Sequence, residues 1–525
     1  MSAPDAAVDT GIPSMLGARR FLSDRFGILE HVFDAGLGSS SDAAVVTVIG
    51  DSARAENRDA ARRIAAIGEL AARRCADDER AHWACDEWDA TAAEVSAVLG
   101  VTHGRASGEM LMAMSLRHRL PRVAALFSDG SVSYRVCEAI VDRTDLIGDP
   151  QTLSLIDTAL AEDATAWGPQ SKMKLQRAID FWVDCYDPGA LRRTKSRVKD
   201  RDVVVDVRNA SDGVVEIRGT LLLSDGVVVA QRLAAMVRGV CDDDPRLIGE
   251  LRSDAMGAIG AGSDRLACRC GNPECPAAGE DARAANVVVH VVADADILDA
   301  VPDPAMNGEK PEPEPEPEPE LEPEPVRPRT AGGVLTGNRG IVPAPLLAEL
   351  IRSGAKVREL RRPSDEPEPG YRPSTALDEF VRMRDMTCRY PNCDMPAEFC
   401  DVDHTIPWPW GPTHASNLAC KCRKHHLLKT FWAGWRDRQH PDGTIVWTSP
   451  TGRTYTTRPG SRLFMPRWNV TTATLPPPVG QPPPTIGIMM PTRRKTRASQ
   501  RAYRIAAERK LNDAHVAERN RPPPF

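Results

Sequence analysis

Cys388-Arg-Tyr-Pro-Asn-Cys393, then Asp401-Val-Asp403-His404, then Asn417, then Cys422-Arg-Lys-His425-His426: this stretch near the C-terminal end decides how the chain is read. It holds two sets of donors with different chemistry. Cys388, Cys393, Cys422 and His425 form two short-range pairs about thirty residues apart, the arrangement of a closed tetrahedral zinc site. Asp403, His404, Asn417 and His426 are left over, a harder and more open set suited to a divalent cation and an activated water. Two cysteines with four residues between them can face one ion from a turn, and a Cys-x-x-His pair can do so where a strand runs into a helix. Cys400 and Cys420 are rival ligands. Cys422 is preferred because it stands at zinc-knuckle spacing from His425, a companion Cys420 lacks.

Asp403-His404 joins a hard metal ligand to a group that titrates near neutrality. Neighbours on an ideal strand face opposite ways, so both can serve one site only where the strand twists or ends. Pro407, shortly afterwards, argues for an ending.

A chain of 525 residues is too long for one core and implies two or three domains. The hydrophobic share of 42% suffices for globular folding, while 44 prolines and 38 glycines imply long irregular stretches. No run reaches the apolar length that crosses a bilayer, and the first thirty residues hold Asp5, Asp9, Arg19 and Arg20 but no apolar signal core. No membrane association is expected. The expected location is the cytoplasm, with the 13 cysteines as thiols or metal ligands. The net charge of −6 hides an asymmetry. Residues 371–525 carry 24 Lys+Arg against 12 Asp+Glu, a balance of +12, which leaves −18 for residues 1–370. A basic end of this kind points to nucleic acid as partner.

From about Ile28 to Tyr186 the sequence is alanine-rich and reads as successive amphipathic helices, with Ile64, Ile67, Leu70 and Ala71 at helical spacing. Helices are expected at Asn57–Cys75, Asp78–Leu99, Gly104–Arg117, Val132–Arg143 and Thr152–Cys185. After Asp187 the pattern turns to β-branched runs at Val203–Val207 and Val214–Leu223, a helix near Val227–Val240 and a strand at Val287–Val292. Pro311–Pro325 alternates proline with glutamate, broken only at Leu321. It is expected to be an extended spacer of about 45 Å. Short helices at Ala344–Ile351 and Thr375–Asp385 lead into the donor-rich stretch. A hairpin is expected at Ile445–Thr448 and Thr454–Thr457, and the basic stretch Arg493–Arg519 is helical in pattern, a candidate to lie on phosphates.

The pattern Cys-x4-Cys…Asp-His…Asn…Cys-x-x-His-His resembles the HNH endonucleases of the ββα-metal (His-Me finger) superfamily. Asp401-Val-Asp-His-Thr-Ile-Pro, Gly411-Pro-Thr, Asn417-Leu, Cys422-Arg-Lys-His-His-Leu-Leu-Lys429 and Trp447-Thr-Ser-Pro-Thr-Gly-Arg look closer still to the HNH module of an actinobacterial, notably mycobacterial, repeat family. There the module follows a helical domain of unknown function. The specific motifs cover about Thr375–Thr457. The resemblance implies His404 as general base, Asp403 and His426 as ligands of one Mg²⁺ or similar ion, and Asn417 as the residue fixing the loop behind His404. It further implies Arg423, Lys424 and Lys429 as contacts to DNA phosphates, and a structural zinc on Cys388, Cys393, Cys422 and His425. Thr430 stands where some members carry another histidine ligand.

The expected architecture is multidomain. A disordered N-terminus (1–27) precedes a mostly α, α+β domain (28–305), a Pro/Glu-rich linker (306–340) and a connecting helix (341–370). A small ββα-metal, zinc-containing HNH domain (371–460) and a Pro-rich, basic tail (461–525) follow. The expected function is divalent-metal-dependent hydrolysis of DNA phosphodiester bonds. The alternative is a catalytically silent, zinc-containing DNA-binding or regulatory protein.

Two other segments carry weaker signals. Leu99-Gly100-Val-Thr102-His103-Gly-Arg105-Ala-Ser107 fits a helix-turn-helix with His103, Arg105 and Ser107 near the start of a recognition helix. A plain helical hairpin is preferred, because Asp86, Glu87 and Asp89 oppose DNA. Cys268-Arg-Cys270-Gly-Asn-Pro-Glu-Cys275 offers three ligands for a second zinc, with a fourth to come from elsewhere, such as Cys241 or His290.

Overall fold

The computed structural model describes residues 37–76, 79–165, 167, 170–192, 202–206, 214–278, 291–293, 295, 297, 300–301, 332–335, 341–352, 356–476 and 489–521. The expected disordered start (1–27), the Pro-Glu spacer and His290 lie outside them. The chain is mostly helical with small sheets, and its contacts group it into two units: residues 1–66 with 115–186, and 67–114 with 187–525.

Helices α1 (Asp42–Arg74), α2 (Glu87–Leu99), α3 (His103–His118), α4 (Pro121–Ser128), α5 (Tyr134–Thr144), α6 (Pro150–Ala164) and α7 (Lys172–Tyr186) come first in the chain. In the first unit α4 packs on α6, and α7 on α5 and α6. Ile140, Ile156, Leu160, Ile179 and Val183 are buried between them at helical spacing. Each start is capped by a short polar side chain or a buried acid. Ser133 accepts from Val136 N, Asp149 from Thr152 N, and buried Asp157 of α6 accepts from Arg122 N and Val123 N, two first-turn donors of α4. The single helix expected at Thr152–Cys185 is two helices. Pro169 in the intervening sequence cannot sit inside a helix without losing a backbone hydrogen bond.

In the second unit α2 begins at Glu87 rather than Asp78, because the Asp86 side chain caps Asp89 N at 2.9 Å. It stops at Gly100, left-handed at φ 69°. Strands β1 (Asp202–Val205) and β2 (Ile217–Thr220) pair antiparallel, shorter than the runs expected there. Helices α8 (Leu223–Arg238) and α9 (Ile248–Gly260) follow, then a three-stranded sheet of β3 (Val291–Val292), β4 (Gly333–Leu335) and β5 (Ile341–Val342), and helix α10 (Ala344–Arg352). Helix α11 (Thr375–Asp385) opens the donor-rich region. Strands β6 (Cys400–His404) and β7 (Leu418–Cys422) pair antiparallel with His404 opposite Leu418 and Cys400 opposite Cys422, and α12 (Arg423–Phe431) follows at once. Strands β8 (Arg436–Gln439), β9 (Ile445–Thr448) and β10 (Thr454–Thr457) form an antiparallel sheet, β9 and β10 at the limits expected of the hairpin. Helices α13 (Arg497–Lys510) and α14 (Asp513–Arg519) occupy the basic stretch.

Trp447, Tyr390, Phe380, Leu418, Leu428 and Ile445 centre the core of this region, and Cys85, Ala93 and Ala97 join the same cluster. The grouping places α2 with the C-terminal region. Tyr390 Oη donates to Ala93 O at 3.0 Å, and Trp432 Nε1 to Cys85 O at 3.1 Å. Polar contacts surround this packing. Asp89 pairs with Lys424, Arg493 and Arg497, and Asp86 with both arginines. Arg493 and Arg497 of the tail thus lie on carboxylates of the chain itself. No helix among the described residues is long and apolar enough to cross a membrane.

Candidate metal centre and catalytic pocket

At the C-terminal end of α11, Arg384 and Asp385 form an ion pair with no side-chain exposure. Arg384 donates to Ala415 O and Leu418 O, each at 2.7 Å, and Asp385 Oδ2 accepts from Cys420 N at 2.8 Å. These bonds hold the approach to β7 and its centre against α11. The expected metal donors then converge. Cys388, Cys393, Cys422 and His425 have their ligand atoms within 4.8 Å of one another, and all are buried or half-buried. Cys393 Sγ is 4.0 Å from Cys422 Sγ, and His425 Nδ1 is 3.3 Å from Cys422 Sγ and 3.5 Å from Cys388 Sγ. Tetrahedral bonds of about 2.3 Å put sulfur atoms about 3.8 Å apart, so the donor set fits zinc. The His425 ring stacks on Tyr390, centroids 3.9 Å apart, with Nδ1 turned to the sulfurs. Cys420 Sγ points away to Val381 O, while Cys400 Sγ turns to Met395 O and Pro396 O and also interacts with the Cys388 thiol.

Of the harder set, Asp403 on β6 and His426 on α12 are brought together, whereas His404 and Asn417 make their contacts with the loop that follows β6. His426 Nε2 is 3.3 Å from Asp403 Oδ1, and His426 Nδ1 is 2.7 Å from Asp401 Oδ2. Asp401 and Asp403 share one face of β6, as alternation requires. Asp403 Oδ2 receives Lys421 Nζ at 3.0 Å and Lys429 Nζ at 2.8 Å, and both lysines also pair with Asp437. Burial works against the Asp403 carboxylate, yet Lys421, Lys429 and His426 outweigh it and hold its pKa well below the usual range. Burial would lower the His426 pKa, but Asp403 and Asp401 raise it overall. Lys429, expected beside flanking phosphates, is instead turned inward, donating to Asp403 and to His404 O. Arg423 reaches Asp401 at 3.4 Å and is exposed, whereas Lys424 pairs with Asp89 at 3.1 Å.

His404 is only 4% exposed, its ring stacked on Tyr371. Its Nε2 lies 2.8 Å from Thr413 Oγ1, and that hydroxyl donates to Gly370 O. With its proton committed, Thr413 accepts from Nε2–H, which leaves Nδ1 carrying the lone pair. Burial lowers the His404 pKa to about 4, so the ring is neutral at physiological pH. Asn417 ties the loop together: Oδ1 accepts from Ile406 N at 2.8 Å, and Nδ2 donates to Ile406 O at 3.0 Å and Pro412 O at 2.9 Å. Gly411 is required there, since a Cβ would fall 2.4 Å from Ile406 O and 2.6 Å from Asn417 Nδ2.

Asp401, Thr413, Lys421 and Asp437 complete the site without a role expected from their sequence context. Period-two alternation from Asp403 would have found Asp401; Asp437 has no local signal. The helix-turn-helix residues are placed against that reading. His103 is half-buried and bonded to Asp89, Ser107 accepts from Trp88 Nε1, and Arg105 pairs with Glu109. Cys268, Cys270 and Cys275 do assemble, with Cys241 as the fourth thiol.

Residues 51–385 match the family described as Domain of unknown function (DUF222). The chain is 53% identical over 516 residues to a Mycobacterium tuberculosis (strain ATCC 25618 / H37Rv) protein named Uncharacterized protein Rv2100, covering 95% of this chain and 94% of the relative. It is 54% identical over 492 residues to Uncharacterized protein Rv3776 of the same strain, covering 93% of each. A more distant relative there, Uncharacterized protein Rv1128c, is 23% identical over 340 residues, 62% of this chain and 67% of the relative. No solved structure matches the chain.

Proposed function

We propose that this chain, which belongs to the DUF222 family, is an HNH-type endonuclease that hydrolyses DNA phosphodiester bonds with a divalent metal such as Mg²⁺. One observation carries the reading: His426 Nε2 meets Asp403 Oδ1 while Asp401 holds Nδ1 of the same ring, and the neighbouring His404 has Nε2 engaged by Thr413 and Nδ1 left for chemistry. The order β6, β7, α12, with a cysteine-histidine cluster beside it, supports the same module.

Asp403 Oδ1 and His426 Nε2 would hold the divalent ion. Asp401 keeps the imidazole turned toward it, as partners of metal-bound histidines commonly do. When bound, the ion polarises the phosphate and stabilises the leaving 3′-oxygen. His404 Nδ1 takes a proton from water as the water oxygen bonds to phosphorus. The bond from phosphorus to O3′ breaks, and O3′ leaves with the electron pair and is protonated by water. Asn417 fixes the loop that carries Thr413, and Lys429 links the His404 backbone to Asp403. Cys388, Cys393, Cys422 and His425 would hold a structural zinc, a closed set with no carboxylate and no open position. Thirteen free cysteines suit a cytoplasmic protein.

A second reading, a silent DNA-binding or regulatory protein, is favoured by the cover of Tyr371 over His404 and by the pairing of Lys424 with Asp89. Supercoiled plasmid incubated with the full chain separates the two. The nuclease reading expects nicking with Mg²⁺ or Mn²⁺ that EDTA abolishes. DNA binding without nicking under any divalent ion would sink it.

A further inference from the structure

Helices α8 and α9 pack on each other around a small core: Met236, Leu251, Ala255, Ala258 and Leu266 are its buried members. So few apolar groups bury little surface, and small bodies of this kind commonly depend on a metal or a cross-link. Past the end of α8, Cys241 meets a loop that brings in Cys268, Cys270 and Cys275. The four sulfurs lie within 4.8 Å of one another, Cys241 and Cys268 at 3.4 Å. The loop closes on itself through backbone bonds, Cys268 N to Ala277 O and Cys275 N to Asn272 O. Gly271 takes a left-handed φ of 74° between the second and third cysteines, a turn that costs a residue without Cβ little. Arg246, with no side-chain exposure, binds Asp244 and Asp254 and donates to Ala267 O, while Asp244 accepts from Arg269 N. Both residues flanking Cys268 are thereby held by one buried ion network. A disulfide needs two sulfurs; here four converge, with no imidazole, carboxylate or open position among them.

We propose that Cys241, Cys268, Cys270 and Cys275 bind one zinc ion as a closed tetrathiolate site that staples the end of α8 to the loop after α9. Four thiolates in a tetrahedron accept zinc or a single iron. Zinc is the ion assigned, since cross-linking this helix pair calls for no redox change. The site is separate from the one on Cys388, Cys393, Cys422 and His425 and does not rest on the nuclease reading.

Metal content of the full chain tests it. Zinc per chain is measured for the unaltered protein, for Cys268→Ser/Cys270→Ser and for Cys388→Ser/Cys393→Ser. The first variant should lose one zinc equivalent relative to the unaltered protein. Because that variant could unfold, cobalt is loaded in parallel into Cys388→Ser/Cys393→Ser. It should give the intense sulfur-to-cobalt absorption of a four-thiolate tetrahedral site. Zinc content unchanged by Cys268→Ser/Cys270→Ser overturns the proposal. So does iron in place of zinc, a Cys241–Cys268 disulfide found by mass in the zinc-free chain, or no thiolate absorption from the cobalt-loaded variant.

Discussion

His426 Nδ1 stands 2.7 Å from Asp401 Oδ2, which turns Nε2 of the same ring to within 3.3 Å of Asp403 Oδ1. One strand supplies both carboxylates, and the helix that follows β7 supplies the imidazole between them. On the proposed reading, Asp401 would act on a bound ion through His426. Replacing Asp401 by Asn should weaken divalent-ion affinity about 10–100-fold, the usual effect of removing such a partner. Titration of the metal dependence of cleavage checks this; an unaltered midpoint would show that Asp401 does not orient the ring.

The loop from Ile406 to Pro412 hangs on one amide. Asn417→Ala removes three hydrogen bonds and strands buried backbone groups, a loss on the order of 2–3 kcal/mol. Chemical denaturation of the full chain reads it, and Gly411→Ala should act in the same direction because its Cβ would collide with the same clamp. Wild-type stability in both variants would contradict this account of the loop.

Asp385→Ala would leave Arg384 charged and buried without its carboxylate, and Cys420 N without its acceptor. Breaking such a pair from one side costs about 3–5 kcal/mol. A lowered thermal midpoint is expected, together with loss of zinc from the Cys388 cluster, since β7 carries Cys422.

Acid should weaken the hold of Asp89 on Lys424, Arg493 and Arg497. Burial opposes its ionisation, but the His103 hydrogen bond and the cations beside it pull its pKa below 3.8. A depressed carboxylate stabilises fully above its unfolded value and loses that contribution as pH falls toward the folded one. The difference in thermal midpoint between wild type and Asp89→Asn should then be constant from pH 7 to about pH 5, and shrink below about pH 4. A gap of the same size at pH 3 would contradict the pairing.

Local signals carried much of this molecule. Helix α11 lies between Thr375 and Asp385 as its pattern implies, Ser374 capping Leu377 N. The hairpin of β9 and β10 follows its alternation residue for residue. Cysteine and histidine spacing was enough to pick Cys422 over Cys420, because strand alternation and the first turn of α12 set where each side chain can reach. Longer-range relations were not legible. Asp89 meets Lys424 across 335 positions and Tyr390 meets Ala93 across 297, and no periodicity encodes such contacts. The resemblance implies a phosphate contact for Lys429, which the side chain does not make with its inward turn. Its inward turn depends on Asp403 and Asp437 arriving from different strands.

Single-turnover cleavage of a labelled duplex by wild type and by His404→Ala, with duplex binding measured beside it, reaches the central claim most directly. Loss of at least about 100-fold in the cleavage rate, with duplex affinity retained, is the predicted result. Equal rates from the two proteins would show that the His404 imidazole takes no proton from the attacking water.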